Sequence, residues 1–511
     1  MSAPSDDETL REAETLREAT LTGVRWLVMM RGASEVSNFV AAVVLARLLS
    51  PADFGRAAVS LIFVMLGVML TFEGFASALV QKQDVTDQDR RVAMLMSLVG
   101  GGVLSLAVYG LTGPVWRPLF GPGAAALIQL ISPAMLIAAL GGVSRATVWR
   151  SLDFRRVSLI DMVSTLGGSV AAVAFAAVGL GARSIALGGL VQTIATTALL
   201  VAAAPPPLPR WSRHSQRGIT AFGIPAALAA LVDTLFRNID YAILEARLPA
   251  AQAGFYYRAF NIGVVYQQKL SQVMVQIAFP VYSRAGAREQ VRAIHERAAR
   301  VHAVVIFPML ATMMALAPLI VPMVFGPQWK PAVVPTQILC VAGGIQAILT
   351  GYPQLMLAIG RPRTLLVFNL AVLVTYATAI TLAADRGLVV VSIVASSVYV
   401  LILVGVYRVL LQRHIGISLW RIIPELGPAF VGSVALAALA LPIADALRSF
   451  CPAPVTVLVA ASTGLLAYAV VLRSFFRAAW DDFYTLLVRI IPPLRRVERL
   501  RRRPVTAPAA P

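Results

Sequence analysis

Arg31, Glu35 and Asn38 stand four and then three residues apart inside the apolar run VMMRGASEVSNFVAAVVLARLL, residues 28–49. That spacing puts a guanidinium, a carboxylate and an amide on one face of a helix. The same pattern returns as Asp233, Arg237 and Asp240, with Asn238 beside them. A third run carries Asn261, Gln268, Gln272 and Gln276 along one face, with Lys269 adjoining. Glu73 and Asp161 lie in two further apolar runs. These residue types handle charge. Guanidinium forks and an ammonium group take a phosphate or pyrophosphate. The carboxylates either hold those cations in place or bind a proton or sodium ion, and both roles stay open. An ionised group at the centre of a bilayer costs at least about 2.5–3.5 kcal/mol, so these faces point to a protein interior or a watered cavity. Arg31–Glu35 and Asp233–Arg237 could also be self-neutralising pairs that pin helices together. Their recurrence on two equivalent spans favours a cavity lining. Arg25 lies near the end of its span, close enough to snorkel.

The elements that position these groups are membrane spans. Of 511 residues, 58% are hydrophobic and 14% charged. Apolar runs of about 20 residues, the length that crosses a hydrocarbon core, recur from end to end. They lack the alternating, turn-punctuated pattern of an outer-membrane barrel. The acidic, polar first residues do not read as a cleavable signal peptide. The expected fold is an all-α polytopic membrane protein with 14 spans near 22–46, 56–80, 92–112, 123–143, 157–178, 183–203, 218–245, 254–281, 300–323, 332–355, 364–383, 387–409, 424–445 and 453–472. An even count puts both termini on one side. Thirty-one Lys and Arg flank the spans on that side, against nine on the other, among them Arg56 and Arg258. This bias places both termini in the cytoplasm. It also accounts for the net charge of +19 without nucleic acid. Two cysteines, Cys340 and Cys451, are too few for a disulfide framework or a metal site. No cofactor is expected.

The chain repeats itself. ARLLSPADFGRAAVSL from Ala46 returns as ARLPAAQAGFYYRAFNI from Ala246, and LFGPGAAALIQL from Leu119 returns as VFGPQWKPAVV from Val324. The offsets are 200 and 205 residues, and each match falls in the equivalent loop. Six spans separate the copies, so orientation is preserved and a parallel pseudo-two-fold is expected. The expected domains are a cytoplasmic segment (1–21), an N-lobe (22–203), a proline-stiffened linker (204–217), a C-lobe (218–410), two extra spans (411–472) and a basic cytoplasmic tail (473–511). Two such lobes suggest a central cavity opened alternately to each side. In the tail, Trp480, Phe483, Tyr484, Leu487 and Ile490 share a helical face ahead of an arginine cluster, a pattern suited to anionic lipid or to simple positive-inside anchoring.

LARLLSPADFGRAAVSLIFV, EGFASALVQKQDVTDQDRRVAM and QIAFPVYSRAG resemble the polysaccharide-flippase branch of the multidrug/oligosaccharidyl-lipid/polysaccharide exporter superfamily, most closely over residues 20–300. The resemblance implies a 14-helix, two-lobed transporter of the bacterial inner membrane. Its cargo would be a polyprenyl-pyrophosphate-linked oligosaccharide for capsule, exopolysaccharide or O-antigen. In relatives the first and seventh spans line the cavity, which makes Arg31 and Arg237, then Lys269, the pyrophosphate ligands, with Asn38, Asn238, Gln272 and Gln276 as polar lining. Glu35, Glu73, Asp161, Asp233 and Asp240 are the ion-coupling or charge-pairing set. Membrane lipids, a coupling ion and polysaccharide-assembly proteins are the expected partners. A lipid II-type flippase or a multidrug exporter of the same superfamily is the nearest alternative. A glycan polymerase or ligase is disfavoured because every loop is short, so no enzymatic activity is expected. A structural scaffold would tolerate loss of the buried charges.

Overall fold

The computed structural model describes residues 26, 29–69, 75–82, 84–151, 153–271 and 288–490. Among them the chain is helical throughout, with turns between helices and no strand. We label the helices α1 (29–48), α2 (Pro51–Met69), α3 (Ser77–Gln81), α4 (Asp87–Gly110), α5 (Arg117–Ile131), α6 (Pro133–Arg150), α7 (Phe154–Ala177), α8 (Ala182–Ala203), α9 (Arg213–Arg247), α10 (Ala250–Phe260), α11 (Arg288–Phe325), α12 (Val333–Leu349), α13 (Tyr352–Ala358), α14 (Pro362–Ala384), α15 (Leu388–Gly405), α16 (Leu419–Leu447), α17 (Ala453–Phe475) and α18 (Arg477–Ile490). Ten helical stretches among the described residues are long and apolar enough to cross a membrane. They coincide with expected spans 3–6 and 9–14. Spans 1, 2, 7 and 8 fall on α1, α2, α9 and α10, and spans 2 and 8 extend beyond the described residues. The protein is a multi-pass helical membrane protein.

The chain divides into two compact units. The first comprises residues 1–257 with 369–387, the second 258–368 with 388–511. In the first unit, SPAD at 50–53 starts α2 as its residue types dictate. The Ser50 hydroxyl and amide donate to Asp53 Oδ2 at 2.7 and 3.1 Å, and Pro51 opens the helix. Asp53 Oδ1 also accepts from the Ala182 amide at 3.2 Å, so one carboxylate satisfies orphan donors of two helix starts. Thr86 and Asp89 form a full capping box on α4, and Lys82 Nζ closes on Asp89 at 2.7 Å. α7 and α8 pack through Gly168 and Gly188. A Cβ on either would sit 2.9 Å from the other's carbonyl oxygen, the close approach that small residues permit between membrane helices. Within α5, Gly121 takes φ 77° ahead of Pro122, as the FGP sequence requires.

In the second unit α11, α16 and α17 enclose a core of Val304, Leu316, Leu436, Ala460, Tyr468 and Leu472. The Tyr468 hydroxyl donates to the Val304 carbonyl at 2.7 Å. The second FGP motif has its glycine, Gly326, at φ 109°. A turn of wider helix at Asn261–Val265 presses on α12, and a Cβ on Gly343 would run into the Gly263 carbonyl oxygen. Gly343→Val is therefore expected to destabilise the purified protein by about 1–3 kcal/mol. Its neighbour Gly344, whose Cβ would meet nothing closer than 3.9 Å, should tolerate valine far better, and thermal unfolding of the two variants compares them.

The tail helix differs from the free amphipathic segment that its pattern alone suggests. In α18, Trp480 and Phe483 pack against the core cluster, and the Phe483 and Tyr468 rings meet edge to face at 6.4 Å. Asp482 accepts from Arg297 at 2.9 Å and Arg300 at 3.1 Å, while Arg300 also reaches Glu425 at 2.7 Å. The first part of the face that would meet lipid is thus occupied by protein. Leu487 and Ile490 lie beyond the described side chains.

Candidate functional site

In the first unit α1 and α9 carry the two polar triplets. On α1, Arg31 is exposed, while Glu35 and Asn38 are half-buried. Asn38 Oδ1 accepts from Ser169 Oγ of α7 at 3.4 Å. On α9, Arg237 is exposed and Asn238 is half-buried, its amide donating to the Thr234 carbonyl at 2.8 Å. The Asp233 side chain lies outside the described residues, as do Glu73, Gln272 and Gln276.

Two of the expected carboxylates have structural partners. Asp161 receives both arms of Arg145, at 2.6 and 3.2 Å, from α6 across the short turn to α7. Such forks are the strong form of the ion pair. The pair sits in a cavity of about 430 Å³ with Thr165, Gln192, Thr193 and Thr197. Asp240 is fully buried. Its Oδ2 accepts from the Tyr256 and Tyr376 hydroxyls, each at 3.0 Å, and its Oδ1 accepts from the Tyr241 amide at 2.9 Å. The aspartate is thus held by hydroxyls from α10 and α14.

In the second unit Lys269 is half-buried and Gln267 is fully buried. Ser271 Oγ meets His302 Nε2 at 2.6 Å. An apolar cavity of about 870 Å³ opens among α11, α12 and α16, lined by Phe307, Met314, Ile338, Ile345, Leu426 and Phe430. Among the described residues no group of three or more His, Cys, Asp or Glu is arranged to hold a metal.

Sequence reasoning passed over several buried polar residues. The charge tally counts Arg258 among the loop cations, at the start of the span 254–281, yet it is 2% exposed, with its guanidinium 4.6 Å from the Phe325 ring centre and 5.1 Å from that of Trp329. His295, 3% exposed, meets the Tyr407 hydroxyl at 3.1 Å. Glu245 is 7% exposed, and its Oε2 accepts no hydrogen bond among the described residues. The second ARL motif carried a signal for Glu245, since Glu245 immediately precedes it.

Residues 44–334 match the family model of the polysaccharide biosynthesis proteins. The lipopolysaccharide biosynthesis protein WzxC of Escherichia coli (strain K12) is 26% identical over 360 residues, which is 70% of this chain and 73% of WzxC. The succinoglycan biosynthesis transport protein ExoT of Rhizobium meliloti (strain 1021) is 25% identical over 335 residues, 65% of this chain and 68% of ExoT. Among solved structures, the lipid II flippase MurJ in its inward closed conformation superposes with a TM-score of 0.71 at 13% identity, covering 88% of this chain and 99% of that one. The last likeness is one of fold.

Proposed function

Since the chain belongs to the polysaccharide biosynthesis protein family, whose model takes in more than half of its length, we propose that it flips a polyprenyl-pyrophosphate-linked oligosaccharide across the inner membrane. The observation that carries this reading is the match to WzxC and ExoT over more than two thirds of each, one named for lipopolysaccharide biosynthesis and the other for succinoglycan transport. The cargo serves a capsule, exopolysaccharide or O-antigen. Two lobes, 22–203 and 218–410, alternate in access, within 14 spans and with both termini cytoplasmic. Arg31, Arg237 and Lys269 take the pyrophosphate, whose paired anionic oxygens suit guanidinium forks. Asn38, Asn238, Gln272 and Gln276 meet its polar surroundings. Glu35, Glu73 and Asp233 balance those cations or bind a coupling ion, while Asp161 and Asp240 hold helices together through the partners described above. The apolar cavity of the second unit suits an isoprenoid chain. No bond is made or broken, so the activity is transport and not catalysis.

The reading is tested by complementing a flippase-deficient, polysaccharide-negative strain. Wild-type protein should restore export. Arg31→Ala and Arg237→Ala should each lower it about tenfold, the loss of roughly 1.4 kcal/mol of cargo binding. Membrane levels of each variant are measured in parallel. Full export by both variants at normal levels would remove the pyrophosphate role from these arginines.

A further inference from the structure

The two copies of the repeated loop motif meet in the first unit. A Cβ on Gly55, in α2, would collide with the Ala250 carbonyl of α10, and a Cβ on Gly254, in α10, would collide with the Pro51 carbonyl of α2. Each glycine thus lies on the first residue of the other's helix, a reciprocal contact of two helix starts that no larger side chain permits. The Gly55 site also faces Glu245. A Cβ there would lie 3.0 Å from Glu245 Oε2, the buried oxygen that accepts no hydrogen bond among the described residues.

Burying that oxygen with no donor among the described residues costs free energy, which protonation or hydration relieves. Water reaches it when the crossing opens, and its proton can then leave. The charged groups around it leave this choice to one residue. On α2, the Arg56 charge reaches Glu245, while Asp53 is turned to Ser50 and to the start of α8. α10 offers no charged side chain from Ala250 to Tyr257. Arg247 pairs with Asp385 at 3.6 Å, Arg47 is exposed at the end of α1, and α5 carries only Arg117. α3 and α4 meet α9 at its other end, where Asp89 neighbours Ser215.

We propose that Glu245 is a proton site of the transport cycle, shut by the Gly55–Gly254 crossing and opened when α2 and α10 part. The closed crossing holds the carboxylic acid, and the open one releases a proton to water and leaves the carboxylate beside Arg56. This rests on the transport reading but not on the cargo, and its test uses no cargo.

In protein lacking Cys340 and Cys451, reconstituted in liposomes, a cysteine at Ala253, which is 5% exposed, reports opening by its labelling rate with a polar maleimide. The rate is divided by that of Leu208→Cys, a 78% exposed position, to cancel the thiol's own pH dependence. The corrected rate should rise about tenfold from about pH 5 to about pH 8, because ionisation favours the hydrated, open crossing. Glu245→Asp should keep the rise. Glu245→Gln, nearly isosteric and unable to ionise, should stay slow at every pH. Gly254→Val should be fast at every pH. A parent profile that is flat, or a Glu245→Gln profile that follows the parent, overturns the proposal whether or not Gly254→Val inserts. Failure of the cargo reading would appear separately, as no restoration of export by the wild-type protein.

Discussion

Arg258→Ala is expected to destabilise the second unit by about 2–5 kcal/mol, the range for truncating a large buried side chain to alanine. Arg258 is 2% exposed, Phe325 is 2% exposed and Trp329 is fully buried. The guanidinium lies 4.6 and 5.1 Å from the two ring centres, within cation–π range on both. Alanine removes that attraction and leaves a cavity against a tryptophan. Arg258→Lys should recover only part of the loss, since an ammonium cannot stack flat between two rings. Thermal unfolding of detergent-purified protein, followed by tryptophan emission, gives the ranking of wild type, Lys and Ala. An alanine variant within about 0.5 kcal/mol of wild type would mean that the stacked geometry contributes nothing measurable.

Arg258 also shows what a sequence hides. The charge tally groups it with the loop cations although it stands at the start of the span 254–281, as it does Arg56 at the start of 56–80. The aromatic residues that bury it come from VFGPQW, some 70 residues later, and only the fold joins them. In the first repeat, the Arg56 side chain likewise lies against Gly123 of LFGPG, 3.2 Å from where a Cβ would stand. Each copy of the second motif thus serves an arginine within the first. The motif pairs were visible in the sequence. Their mutual packing was not. Asp161 was similar. Its depth was legible from the apolar run, but its partner Arg145 sits at the end of the preceding span and counts as a loop cation until α6 and α7 lie side by side. Ten expected spans were plain because apolar length alone specifies them. The polar helices α1 and α9 were recognised by the regular spacing of their charges, which names a face and leaves its neighbours unknown.

Asp240 and Glu245, five residues apart on α9, show how neighbours divide such roles. Asp240→Ala is expected to cost about 2–4 kcal/mol, because two tyrosine hydroxyls and one amide lose a shared acceptor inside the protein. Tyr376→Phe should cost less, since Asp240 keeps the Tyr256 hydroxyl. The double variant should fall short of the sum by about 1 kcal/mol or more, the sign of groups acting as one network. Asp240→Asn, with an acceptor oxygen still in place, should lie closer to wild type than alanine does. Additive losses would show that the tyrosines find other partners and that the cluster does not tie α9 to α10 and α14. Glu245→Gln should behave differently under the same heating. Its buried Oε2 has no donor to lose among the described residues, so replacing the carboxylate with an amide should leave stability unchanged or raise it. A carboxylate whose two oxygens both accept hydrogen bonds anchors helices, whereas one with a buried oxygen that meets no donor among the described residues is free to exchange its proton when the helices part.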